Sequence, residues 1–414
     1  MSEIKPFLRR VQIRNYKSIA DCDVRLGAFT LLVGRNGAGK SNFLDAIRFV
    51  AESLQTSLDH AMKTRGGIEE VRRRSTGHPN SFRIALELVL PDDRVGEYVF
   101  EVSARKNRGF TVKREELSLE NRTGREIGFV VEDGFVKTFN GNGGATGGLF
   151  PAEKAEKYQY PPASSDRLYL VTAAGFPEIR PVYDALAAMG FYNLNPQEIR
   201  ELQSPDPGDL LRRDGSNLAG VIGRLTDERP ELKSRMQQYL KLIVPDIEDF
   251  GRAALGPSET VKFSQAVKGA KKPWQFYASS MSDGTLRALG VLVSVMQLAA
   301  DSKPMRFAGI EEPETALHPA ASGALIDALR EAAEHTQVVI TTHSPDLLDR
   351  FDPETDTLLV VEARAGTTII DEPDSASAET IKDHLLSAGD LLRKDQLVPR
   401  SAQQLVLSEL APAP

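Results

Sequence analysis

The segment Gly34-Arg35-Asn36-Gly37-Ala38-Gly39-Lys40-Ser41 fits the spacing G-x-x-x-x-G-K-[ST] at each fixed position. Before it stands Ala28-Phe29-Thr30-Leu31-Leu32-Val33, an apolar run short enough for one buried strand. After it, Asn42 to Val50 carries apolar residues at helical spacing. Strand, glycine loop and helix in that order restrict the chain to α/β folds in which the loop joins those two elements. Glycines let successive backbone N–H groups converge on one anion, and the helix N-terminus adds partial positive charge. The backbone of Asn36, Gly37, Ala38 and Gly39 is therefore expected to cradle the phosphates of ATP. Lys40 is expected to reach the β- and γ-phosphates, and the Ser41 hydroxyl to ligate Mg²⁺.

A second apolar run, Phe307-Ala308-Gly309-Ile310, ends abruptly in Glu311-Glu312 and then a turn, Pro313-Glu314-Thr315-Ala316-Leu317-His318-Pro319. Its strand is expected to lie beside the strand of the phosphate loop. Consecutive strand residues point to opposite faces, so the two carboxylates can take different tasks. Glu311 is expected to hold Mg²⁺, and Glu312 to polarise a water for in-line attack on the γ-phosphate. Val338-Val339-Ile340 leads into Thr341-Thr342-His343-Ser344-Pro345. At such a strand end His343 can hydrogen-bond the γ-phosphate or the attacking water. Ser282-Asp283-Gly284 opens a helical run from Leu286. Small residues at a helix start expose N–H groups and a hydroxyl, which makes this a second anion site.

The 51 basic and 58 acidic residues leave a net charge of −7, so no global field attracts nucleic acid. A DNA or RNA contact would need a local patch, and there are two candidates. One is Arg72-Arg73-Arg74; the other is Lys268, Lys271 and Lys272 beside Trp274. The single cysteine, Cys22, excludes an internal disulfide and a cysteine metal cluster, which suits a reducing cytoplasm. No apolar stretch approaches the roughly 18 residues needed to span a bilayer, so no membrane partner is expected.

Residues 1–80 read as the first half of a nucleotide-binding unit. From 81 to 140 the pattern turns to period two, as in Phe82-Arg83-Ile84-Ala85-Leu86 and Tyr98-Val99-Phe100-Glu101-Val102, which predicts an antiparallel β lobe. Residues 141–260 read as a helical insertion. Prolines such as Pro177, Pro196, Pro230 and Pro245 break it too often for a long coiled coil. Residues 261–414 return to alternating strand and helix and complete the sheet.

The order of these motifs resembles that of ABC-class ATPases. The phosphate loop serves as Walker A, Ser282-Asp283-Gly284 as signature, Ile310-Glu311-Glu312-Pro313-Glu314 as Walker B, and Thr342-His343-Ser344 as histidine switch. The soluble SMC, RecF and OLD (overcoming lysogenization defect) branch matches best, together with stand-alone AAA-type ATPases near it. Arg14-Asn15-Tyr16-Lys17-Ser18 looks like that branch's N-terminal element. The resemblance implies a P-loop ATPase head with an antiparallel β lobe and an inserted helical subdomain. It implies that Lys17 approaches the phosphates, and that Ser282 and Gly284 contact the γ-phosphate held by a second copy. The expected assembly is a head-to-tail homodimer, or a higher oligomer, clamping two ATP molecules and opening after hydrolysis. Glu311 stands where many members have aspartate, and no residue here is carried over for the glutamine loop, Gln55 lying too close to the first helix.

Two functions fit. In the first, nucleotide-driven dimerisation acts as a switch in DNA repair or anti-phage defence, with the inserted lobe touching DNA. In the second, the chain is an ATP-dependent scaffold that holds and releases an effector encoded nearby, a nuclease or toxin, without binding DNA itself. A nuclease domain of Toprim type after the histidine motif is not expected. Leu358-Leu359-Val360-Val361-Glu362 could open one, but too little chain follows.

Overall fold

The computed structural model describes residues 6–75, 77, 79–106, 109–120, 126–140, 161–297 and 305–402. Its strands are, in chain order, β1 (Leu8–Tyr16), β2 (Ile19–Arg25), β3 (Phe29–Val33), β4 (Ser81–Val89), β5 (Val95–Ala104), β6 (Phe110–Glu120), β7 (Glu126–Glu132) and β8 (Phe135–Asn140). They continue with β9 (Gly190–Tyr192), β10 (Ile247–Leu255), β11 (Ser258–Gln265), β12 (Trp274–Tyr277), β13 (Phe307–Glu311), β14 (Gln337–Thr342), β15 (Thr357–Arg364) and β16 (Thr367–Asp371). One 13-stranded sheet runs β8-β7-β6-β5-β4-β1-β2-β16-β15-β3-β14-β13-β9, and β10-β11-β12 make a small separate sheet. Pairing is antiparallel from β8 to β2 and parallel across β15, β3, β14, β13 and β9.

The phosphate loop's strand is central and buried along its whole length, as a parallel strand covered on both faces must be. Alternate residues of β3 serve different cores. Leu32 belongs to the core that includes Phe43, Ile47 and Val50 of the helix Lys40–Gln55, whereas Phe29, Leu31 and Val33 belong to the core that includes Leu286, Leu289 and Val293 of the helix Asp283–Met296. The helix that carries the phosphate loop and the helix that carries Ser282 thus lie on opposite faces of one sheet.

Two expectations need correction. β13 does not lie beside β3; β14 stands between them, hydrogen-bonded to both. The histidine strand is therefore the immediate neighbour of the phosphate-loop strand, and the acid strand is one place further out. The stretch 141–260 is also not purely helical in its described part. β9 closes the edge of the main sheet, and the β10–β11 hairpin pairs with β12, beyond the expected boundary. Short strands bounded by prolines and glycines left little periodicity by which to separate them from loops. β15 runs parallel to β3 inside the 13-stranded sheet and pairs antiparallel with β16, so Leu358 to Glu362 form part of that sheet and open no separate domain. Among the described residues no helix is long and apolar enough to cross a membrane.

Asp45, on the phosphate-loop helix, ties β1 to that helix. Tyr16 Oη donates to Asp45 Oδ2 at 2.8 Å, Arg65 Nε donates to it at 3.1 Å, and Lys17 and Arg48 pair with the same carboxylate. Burial raises the Asp45 pKa, but Arg65, Lys17 and Arg48 outweigh it and hold the group below the usual range. In the β lobe Glu115 is fully buried. It accepts from Tyr98 Oη at 2.9 Å, from the Leu170 N–H at 2.8 Å, and from the Tyr169 N–H, joining the lobe to the chain that follows it.

Burial pushes the Glu115 carboxyl up to about 7, against the opposing effect of those donors. A carboxyl raised in the folded state contributes fully below its unfolded pKa, and that contribution is lost as pH rises through the folded one. Stability should therefore decline between about pH 4.5 and 7 on account of this group. In Glu115→Gln that decline should flatten, as read from urea midpoints across the range; an unchanged slope would show that Glu115 is not the group responsible.

Candidate nucleotide site

The loop between β3 and the helix Lys40–Gln55 is shaped by contacts that exclude side chains. A Cβ on Gly34 would lie 2.1 Å from the Val361 carbonyl oxygen, and one on Gly39 would lie 2.1 Å from Thr368 Oγ1. Gly39 also has φ +108°, a left-handed conformation that glycine adopts without steric cost. At the crown the space beyond Gly37 is open, with nothing within 4 Å of a notional Cβ, and Arg35, Asn36 and Ser41 are exposed around it. Thr368 Oγ1 donates to the Ala38 carbonyl at 2.9 Å and lies 2.7 Å from Ser18 Oγ, which Asn42 Nδ2 also reaches at 2.7 Å. An open crown over a braced base fits a phosphate chain.

Lys40 is 5% exposed, and its Nζ donates to the Gly34 carbonyl at 2.7 Å and the Arg35 carbonyl at 3.1 Å. Burial lowers its pKa, opposed by the carboxylates of Glu312 and Glu314. The acidic turn and the phosphate-loop lysine therefore share one electrostatic environment, although some 270 residues separate them in the chain.

Glu311 is the last residue of β13, and its Oε1 accepts from Arg213 Nη2 at 2.8 Å. Glu312 lies just beyond the strand with φ +45°, a turn that redirects its side chain. Because Glu311 is paired in register with Thr341, the next residues of both strands come together. His343 Nδ1 stands 3.4 Å from Glu312 Oε1. Glu314 is buried beneath this pair, accepting from Thr342 Oγ1 at 2.6 Å and from the His343 N–H at 3.4 Å. Its other oxygen is buried with no hydrogen-bond partner among the described residues, and burial raises its pKa.

Ser282 caps the helix Asp283–Met296, its Oγ accepting from the Thr285 N–H at 3.2 Å, and it is exposed at the surface. A Cβ on Gly284 would come within 2.4 Å of the Ala316 carbonyl oxygen, so only glycine lets this helix approach the acidic turn. Arg287, one turn further on, is 8% exposed. Its guanidinium donates to the carbonyls of Leu194 at 2.7 Å, Glu311 at 3.0 Å and Glu312 at 3.0 Å. Burial lowers its pKa, opposed by the carboxylates of Glu314, Glu312 and Glu311.

Lys17 follows β1 in a left-handed turn. With φ +47° its backbone N–H donates to the Val71 carbonyl at 2.7 Å, and its ammonium pairs with Asp45, one helical turn beyond Ser41. Gln55 ends its helix and donates to the Ala187 carbonyl. Sequence reasoning missed Arg287, Glu314 and Thr368. A lone arginine in an otherwise apolar helix, and the third acid of Glu311-Glu312-Pro313-Glu314, were the available signals. Thr368 carried none.

The parallel core, the glycine loop and the acidic turn define an ABC-class ATPase of the SMC, RecF and OLD type. The chain belongs to the family described as "AAA domain, putative AbiEii toxin, Type IV TA system", which it matches over residues 29–349. It is 43% identical over 51 residues to the OLD nuclease of Thermus scotoductus, covering 12% of this chain and 10% of that protein. It is 34% identical over 87 residues to the DNA replication and repair protein RecF of Gloeobacter violaceus, covering 20% of this chain and 23% of that one. The chain thus spans under a quarter of either relative. It also resembles an SMC head crystallised with the C-winged helix domain of ScpA, with TM-score 0.55 at 16% identity over 91% of this chain and 100% of that one. That likeness is one of fold.

Arg287→Ala should remove the guanidinium donor from the Leu194 and Glu311 carbonyls, while the Glu312 carbonyl keeps the Thr315 N–H, and cost about 3 kcal/mol of stability in urea unfolding. Arg287→Lys should recover little of this, because an ammonium cannot serve three diverging acceptors as a planar fork does. Full recovery by lysine would refute the clamp.

Proposed function

We propose that this chain binds and hydrolyses ATP with Mg²⁺, and that ATP-driven pairing of two copies acts as a switch in DNA repair or anti-phage defence. The observation that carries this reading is that β3, β14 and β13, adjacent and parallel, bring the phosphate loop, His343 and Glu312 to one end of the sheet.

Phosphates would take the N–H groups of Asn36 to Gly39 and the Lys40 ammonium, which exchanges two loop carbonyls for anionic oxygens. Mg²⁺, when bound, neutralises phosphate charge; Ser41 and Glu311 offer it hard oxygen donors. Among the described residues no group of three or more His, Cys, Asp or Glu side chains converges on a cation, so phosphate oxygens and water would complete its shell. Glu312 then accepts a proton from a water as that oxygen bonds to the γ-phosphorus. The bond from the γ-phosphorus to the bridging oxygen breaks, ADP leaves with the electron pair, and inorganic phosphate forms. His343, next to Glu312, holds the water or the γ-phosphate oxygens.

Exposure of Ser282 suits it to a nucleotide held by the second copy, with Gly284 allowing the close approach that sets the helix in position. Arg287 makes that helix and the Glu311–Glu312 carbonyls one mechanical unit, so contact at a partner's nucleotide would bear directly on the water-activating acid of this chain. The names of the OLD nuclease and RecF relatives support a DNA-related setting.

Lys40→Ala should lose ATP binding, measured by titration with a fluorescent ATP analogue. Normal affinity in that variant would remove the phosphate-loop assignment. Glu312→Gln should bind ATP normally, hydrolyse it about 10²- to 10³-fold more slowly, and accumulate as an ATP-dependent dimer in size-exclusion chromatography. Turnover equal to that of the unmodified protein would move the water-activating role to another residue.

A further inference from the structure

β12 and the loop before it form a basic and aromatic surface that the ATP reading leaves unused. Among the described residues β12 is an edge strand, paired only with β11. Its Trp274 is 57% exposed and Tyr277 is 42% exposed. Trp274 is the only tryptophan in the chain, and a bare indole on an edge strand is a feature that soluble proteins tend to avoid unless a partner covers it. Phe276, on the same face of the strand and partly buried, stands 6.5 Å from the indole between ring centroids.

The preceding loop presents Lys268, Lys271 and Lys272, all exposed, which with Trp274 line an open cavity of about 610 Å³. Among the described residues none of these three lysines has an ion-pair partner. The other basic run behaves differently: Arg72 and Arg74 are paired with Glu69 and Glu70, and Arg73 donates to Thr367 Oγ1 at 2.6 Å. On a chain of net charge −7, three unneutralised ammonium groups beside an exposed indole make a local reversal of sign.

We propose that this surface binds single-stranded nucleic acid, its phosphates on Lys268, Lys271 and Lys272 and an unstacked base on the face of Trp274. Aromatic platforms flanked by flexible cations match a single strand, in which each base offers a π-face and each linkage a charge. A duplex keeps its bases stacked on one another and could use the lysines alone. A protein partner is a poorer fit, since lysine is depleted from the cores of such interfaces. Only residues 278–281 separate β12 from Ser282, so an occupied platform would adjoin the helix start assigned above to the second copy's nucleotide. The inference deepens the switch reading and rests on it for its biological use; the binding step itself needs no ATP.

The sole tryptophan supplies the measurement. Titrating the full chain with a 20-nucleotide oligothymidine, or with oligouridine, at low salt should quench its fluorescence to saturation. Affinity should fall with salt at a log–log slope of about −2 for three phosphate contacts. Polarisation of a labelled oligomer should show about tenfold weaker binding for Trp274→Ala, and a larger loss for the triple variant Lys268→Glu, Lys271→Glu, Lys272→Glu. Lys40→Ala should bind the oligomer as the unmodified protein does, even if it cannot bind ATP, which separates this proposal from the nucleotide reading. A response to DNA alone, RNA alone or both supports the surface. No quenching and no polarisation change, equal quenching by duplex, or quenching driven by protein concentration alone, as when a second copy covers Trp274, would overturn it.

Discussion

The close fit of β15 and β16 against the phosphate loop is the constraint on which the rest of the head depends. Val361 and Thr368 leave no room for a side chain at Gly34 or Gly39, and Thr368 also bonds to the Ala38 carbonyl. The loop is thus held from below by residues more than 320 positions away, leaving its crown free for an anion. Ser18 and Asn42 extend the same brace to the β1–β2 turn and to the helix itself. A loop of glycines would otherwise sample many conformations, and ordering it on ligand binding would cost conformational entropy. Here that cost falls on folding.

The acidic turn is organised by a complementary logic. Glu312 leaves its strand in a left-handed conformation, and Arg287 holds the carbonyls on either side of that bend. Glu314, buried with one oxygen on Thr342 and the His343 backbone, ties the turn to the neighbouring strand. Buried polar groups of this kind are costly unless satisfied, and the arrangement satisfies nearly all of them. Among the described residues one atom of the arrangement, Glu314 Oε2, is buried without a hydrogen-bond partner.

How much of this was legible in the sequence follows from the range of the interactions. The phosphate loop, its strand and its helix were readable because their geometry is local, written in glycine spacing and apolar periodicity. Glu312 and His343 were readable because each sits at the end of an apolar strand. Strand order was not: that β14 separates β3 from β13 depends on packing between segments hundreds of residues apart. Lys17 illustrates the same limit. Its motif marks a turn, but its partner Asp45 belongs to another element, and no spacing rule connects the two. Arg287 looked like one charge on an apolar helix until the carbonyls facing it were known.

Strand order runs from β8, at the far rim of the β lobe, to β9 beyond the acid strand, with β2 and β16 joined through one paired position, Ile19 with Thr368. The lobe and the strands of the candidate site therefore share one sheet, which is narrowest at that join. A load on the rim would meet that bridge at Thr368, whose hydroxyl also donates to the Ala38 carbonyl of the glycine loop. In mechanical terms the lobe is a lever arm that bears on the loop at one residue.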